Sequence, residues 1–128
     1  MFALGHSGNP MNIQEFAELT QISAHTIRYY EKIGLLRNIN RNSSGHRAFT
    51  KNDIVWTDFI KRLKDTGMSL QDIRRYADLR EEGEHTAKLR MQLLQAHTKI
   101  LEERIAIETL HLQKLKEKIK FYDTLIID

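Results

Sequence analysis

The chain has 128 residues with no cysteine, one proline and one tryptophan, is 41% hydrophobic and 29% charged, and carries a formal net charge of +3. That composition can build a core and excludes a disordered tail, while the lack of cysteine excludes disulfides, thiolate metal sites, sulfur redox sensing and cysteine nucleophiles. No apolar run approaches the ~20 residues of a membrane span and no signal-peptide core is present, which predicts a soluble cytoplasmic protein.

The charge is uneven. Residues 1–80 hold 12 Lys/Arg against 8 Asp/Glu, and residues 81–128 hold 8 against 9. A small basic domain joined to a near-neutral segment suits nucleic-acid binding.

Residues 1–10 have no helical or strand period, and a second methionine, Met11, directly precedes the first patterned segment. We expect a leader or disordered arm over 1–11, a DNA-binding domain over 12–82, and a coiled-coil helix with a short tail over 83–128. The first helix opens at Asn12 with Glu15 three residues on, a capping-box pattern. Ile13, Phe16, Ala17 and Leu19 form its apolar side. Ile22-Ser23 interrupts, and Ser23 caps a second short helix, 24–33, which ends at Gly34. Two short helices about four residues apart make a helix-turn-helix candidate.

Leu35-Leu36 predicts the start of a short strand. Asn38 to Gly45, rich in Asn, Ser and Gly, predicts a hairpin loop, and His46 to Phe49 the returning strand. The result is a small wing beside the helices. Thr50 with Asp53 caps a helix carrying Ile54, Trp56, Phe59, Ile60 and Leu63. Ser69 with Asp72 caps the next, with Leu70, Ile73, Tyr76 and Ala77 inside. A break is expected at Glu81–Glu84.

From Thr86 to about Ile126 there is no glycine or proline. Seam positions at alternating spacings of four and three hold Leu94, Thr98, Leu101, Ile105, Glu108, Leu112, Leu115, Ile119, Tyr122 and Ile126, a coiled-coil pattern. Such a helix would be roughly 60 Å long, too long to cover its stripe on the preceding domain. A second copy of the chain is the economical partner, and a hairpin broken near His111 is the alternative.

Three motifs then narrow the reading: T-I-R-Y-Y-E-K-I-G-L-L at 26–36, G-H-R-A-F at 45–49 and T-G-M-S-L-Q-D-I at 66–73. In order and spacing, from Ile13 to about Leu79, the sequence resembles the MerR family of bacterial transcription regulators. The long helix is similar to that family's dimerisation element. The resemblance implies a mainly α fold: a winged helix-turn-helix domain followed by a long dimerisation helix in an antiparallel coiled coil, as in short members without a separate effector-binding domain. It implies DNA contacts through His25, Thr26, Arg28 and Tyr29 at the start of the second helix, through Arg41, His46 and Arg47 in the wing, and through Lys61, Ser69 and Leu70. Lys61, Arg62, Arg74 and Arg75 are helix-surface charges that would assist. Dimerisation falls to Leu94, Leu101, Ile105, Leu112, Leu115 and Ile119.

The partners implied are double-stranded promoter DNA, a second copy and RNA polymerase. The family mechanism bends and untwists an overlong promoter spacer around a near-palindromic site. No cofactor and no enzymatic role are expected: there is no phosphate loop, metal-ligand cluster or assembled nucleophile. A coiled-coil interaction protein, or a nucleoid-type DNA-binding protein without a small-molecule signal, is the alternative. His85, His97 and His111, spaced 12 and 14 apart, form no ligand face. The sequence departs from the family pattern at Asn38, near the point where proline usually stands, at His46 and Phe49, which replace wing tyrosines, and in lacking the cysteines of metal- and thiol-responsive members. Its signal is unidentified.

Overall fold

The computed structural model describes residues 9–126. They form two units, up to Thr86 and from Ala87 on. The first unit contains α1 (Ile13–Thr20), α2 (Ala24–Lys32), β1 (Asn40–Arg41), β2 (Arg47–Ala48), α3 (Lys51–Asp65), α4 (Leu70–Glu82) and a 3₁₀ turn (Glu84–Thr86). The second is α5 (Ala87–Leu125).

Four predicted caps hold. The Asn12 side chain accepts from the Glu15 N–H while Glu15 reaches back to the Asn12 N–H, and Thr50 and Asp53 make the same reciprocal pair. Ser23 accepts from Thr26 and Ser69 from Asp72. Each cap supplies a partner for otherwise orphaned first-turn amides, which is why local pattern alone located these helix starts. Between α1 and α2 the chain turns through Gln21 in the left-handed region, φ 61°. The helix-turn-helix is closed in three residues.

The core joins the helices to the wing base. Phe16 of α1 stacks on Phe49 at 4.0 Å between ring centroids, with both rings fully buried. Ile27, Leu35, Leu36, Ile54, Ile60 and Ile73 complete the packing. Phe49, where the family pattern has tyrosine, therefore serves as a packing residue.

The structure corrects three local expectations. Leu35 and Leu36 begin no strand; both are buried in the turn after α2, their amides donating to the Tyr30 carbonyl at 2.8 and 3.1 Å. Gly34, at φ 84°, makes that inward turn, a conformation that a side chain disfavours. The wing ribbon is shorter than predicted: Asn40 pairs with Ala48 and Arg41 with Arg47, around a turn in which the Asn42 side chain accepts from Ser44 and His46 amides. Met11, counted with the leader, is 1% exposed and bridges Phe49 with 2.8 Å bonds in both directions. It belongs to the folded domain. The rest of the proposed leader, up to residue 8, lies outside the described residues.

Asn38 explains its own departure from the family pattern. It sits at φ 56°, which a proline ring cannot adopt, and its amide donates to the Glu81 carboxylate at 3.1 and 3.3 Å. α4 ends at Gly83, the break expected there. α5 is one unbroken helix of 39 residues with no buried residue; it does not fold back at His111. Among the described residues no helix is long and apolar enough to cross a membrane.

Candidate nucleic-acid interface

The second helix of the helix-turn-helix presents His25, Arg28 and Tyr29 to solvent, Tyr29 with 45% of its surface open. Ile27 and Tyr30, on the other side, are buried. This division follows the helical period: positions 27 and 30 point to the core, and 25, 28 and 29 point away. Tyr30 is thus a packing residue. Burial, reinforced by the nearby Asp65 and Tyr29, raises its phenol above the usual range. Among the described residues no ion pair engages Arg28, which leaves its guanidinium available to an external acceptor. Thr26 is less open than the sequence suggested. It is half-buried, and its hydroxyl accepts from the Ser23 hydroxyl at 2.9 Å.

Tyr29 also lines a groove of about 720 Å³ between α2 and α4. Ile33 continues that wall, and Leu70, Gln71, Arg74 and Arg75 stand on the α4 side with Asp72 and Asp78. The exposed Ser69 caps α4 here, and the first amides of a 13-residue helix carry partial positive charge. The structure therefore brings Tyr29, Leu70, Arg74 and Arg75 together, with Ser69 next to them in sequence. Asp78 is tied to the Arg37 guanidinium, whose Nε–H also donates to the Gly34 carbonyl at 2.6 Å. Lys61 is placed elsewhere. It lines a separate depression with Leu19, Gln21, Arg62 and Asp65.

In the wing, His46 and Arg41 are exposed and Arg47 is half-buried. Arg41 donates to the Gly45 carbonyl at 3.1 Å. Arg47, expected as a free phosphate donor, gives its Nε–H to the Glu31 carboxylate at 2.7 Å. Sequence reasoning missed Glu31, although the residue lies within the quoted T-I-R-Y-Y-E-K-I-G-L-L run. The usable signal was two arginines flanking a hairpin with no acid in the loop between them.

Along α5 the seam positions Ile105, Leu112, Leu115 and Ile119 are 51–67% exposed, as are Ile100, Ile107, Phe121 and Tyr122 at 53–62%. Leu94 and Leu101 are intermediate. So much open apolar surface on one helix exceeds the singly scattered apolar residues of an ordinary protein surface. Among the described residues no three His, Cys, Asp or Glu come together to hold a metal ion.

The sequence matches the family described as MerR HTH family regulatory protein over residues 11–79, and that described as MerR, DNA binding over 57–120. It is 42% identical over 106 residues to an HTH-type transcriptional regulator of Haemophilus influenzae, covering 83% of this chain and 78% of the relative. It is 42% identical over 108 residues to the HTH-type transcriptional regulator YyaN of Bacillus subtilis, covering 84% and 76%. The structure is similar to the crystal structure of HiNmlR, a MerR family regulator lacking the sensor domain, bound to promoter DNA: TM-score 0.82 and 38% identity over 90% of this chain and 91% of that one. A MerR family transcriptional regulator from Listeria monocytogenes gives TM-score 0.85 and 41% identity over 89% and 86%.

Proposed function

The chain belongs to the MerR HTH family of regulatory proteins, and on that premise we propose that it binds promoter DNA as a homodimer and distorts the spacer between promoter elements so that RNA polymerase engages both. α2 enters the major groove, where Arg28 reads guanine or grips phosphate through its bidentate fork. Tyr29 and the start of α4 hold the flanking backbone, and Arg41, His46 and Arg47 hold it from the wing. Two copies pair through an antiparallel coiled coil of α5, with Leu94, Leu101, Ile105, Leu112, Leu115 and Ile119 in the seam. The helix then sets the separation of two reading heads, which a bent, untwisted site requires.

The observation that carries this reading is the open face of α2. Arg28 and Tyr29 are exposed, Arg28 has no ion pair among the described residues, and Tyr29 shares a groove with the amide end and arginines of α4. The solved relative that holds promoter DNA supports it. The test is genome-wide mapping of the chain's binding sites, followed by transcription from its strongest promoter with spacers of graded length. Activation that depends on an overlong spacer is expected. Strong sites lying outside promoter spacers would remove the distortion mechanism and leave a DNA-binding protein of the nucleoid type.

A further inference from the structure

Glu31 sits at the end of α2, one turn after Arg28, with its side chain 25% exposed. Its Oε1 receives the Arg47 Nε–H at 2.7 Å, and its Oε2 lies 3.8 Å from the Arg41 guanidinium. Arg41 and Arg47 are direct register partners in the wing. Like charges facing each other across a ribbon repel, and a hairpin with two-residue strands has little stability of its own. The Glu31 carboxylate lies between these two cations and links both to α2. It does so at an electrostatic disadvantage for DNA binding, since a carboxylate on this face repels phosphate.

We propose that Glu31 is a positioning residue for DNA recognition: it sets the wing against α2 and so fixes where Arg47 stands relative to Arg28. The bond at Nε orients the Arg47 guanidinium, whose terminal nitrogens carry four further N–H donors. The side chains of both partners are about three-quarters covered, so the pair is less screened than an open surface pair. Its effect is geometric. A base contact from α2 and a backbone contact from the wing can be made together only if their separation is held. The inference rests on the reading of α2 and the wing as the DNA-binding surface.

The test uses the full chain with two duplexes of equal length: a promoter fragment selected by the wild-type chain, and a scrambled sequence. Affinity for each is measured across a salt series for the wild type, Glu31→Gln and Glu31→Ala, with thermal melts of all three. Removing a negative charge from a DNA-facing surface by itself tightens binding to both duplexes. Positioning predicts the opposite sign on the selected duplex: roughly tenfold or more weaker binding, about 1.4 kcal/mol. Binding to the scrambled duplex is unchanged or tighter, and the melts stay close to wild type. Tighter binding to both duplexes with an unchanged ratio would show Glu31 to be only a repulsive charge. Equal loss on both with a lowered melt would show a purely structural role. Either result overturns the proposal while the wild type still discriminates. A wild-type chain that does not discriminate overturns the DNA-reading surface itself, and this proposal with it.

Discussion

Trp56 donates its indole N–H to the Leu35 carbonyl at 2.8 Å, linking α3 to the turn that follows α2. The same ring stacks near Tyr76 at 5.9 Å and carries the Arg80 guanidinium 4.2 Å from its centre. One side chain thus connects the α2–wing junction to α4. Trp56→Phe leaves the Leu35 carbonyl without that donor in a buried turn, and is expected to destabilise the domain by about 1–3 kcal/mol. Chemical denaturation reads this directly; a variant with an unchanged midpoint would show that the bond is not worth its burial.

Arg28→Ala removes a fork that forms no ion pair among the described residues, so folding is expected to be unaffected. Binding to the selected promoter site should weaken by about 1–3 kcal/mol, with little change on unrelated duplex. Anisotropy titrations with both duplexes check it. Equal affinity of variant and wild type on the selected site removes Arg28 from the reading surface.

The exposed seam of α5 predicts a dimer at micromolar concentration. Ile105→Asp combined with Leu112→Asp places charges in the apolar seam and is expected to give a monomer by light scattering, with reduced helicity. A dimeric double variant would mean that another surface joins the copies.

Thr57 is fully buried, and its hydroxyl has no hydrogen-bond partner among the described residues. Thr57→Val exchanges that hydroxyl for a methyl group of similar shape. A stabilisation of about 1 kcal/mol is expected, seen as a higher denaturation midpoint with DNA affinity unaltered.

Tyr30 holds its proton more tightly when folded than when unfolded, because burial, Asp65 and Tyr29 all disfavour the phenolate. A raised folded value means that stability is intact below the ordinary tyrosine range near pH 10 and falls as pH rises through the folded value. Tyr30→Phe should therefore flatten the loss of stability above about pH 10 relative to wild type, since the lysines common to both cancel in the comparison. Parallel alkaline denaturation curves would contradict this.

Much of the fold was determined by neighbouring residues and could be read from them. Asn12 with Glu15, Ser23 with Thr26, Thr50 with Asp53 and Ser69 with Asp72 are capping pairs three residues apart. The unbroken α5 follows from a run without glycine or proline. Helix caps and helical periods depend on short separations along the chain, so the sequence displays them openly. The exposed face of α2 is legible for the same reason: Arg28 and Tyr29 fall opposite Ile27 and Tyr30 by helical geometry alone.

What only the tertiary structure decided lies at longer range. Met11 pairs with Phe49, Arg47 with Glu31 sixteen residues away, and Arg37 with Asp78 across forty-one. Leu35 and Leu36 look like a strand by composition, yet after Gly34 turns the chain inward they fill the core beneath Trp56. A strand needs a partner, and an arginine takes whichever acceptor the fold presents. Neither choice is written in the residues beside it, so the zero cysteines and +3 charge of the sequence bound the chemistry, while the packing determines which acceptor holds each wing arginine.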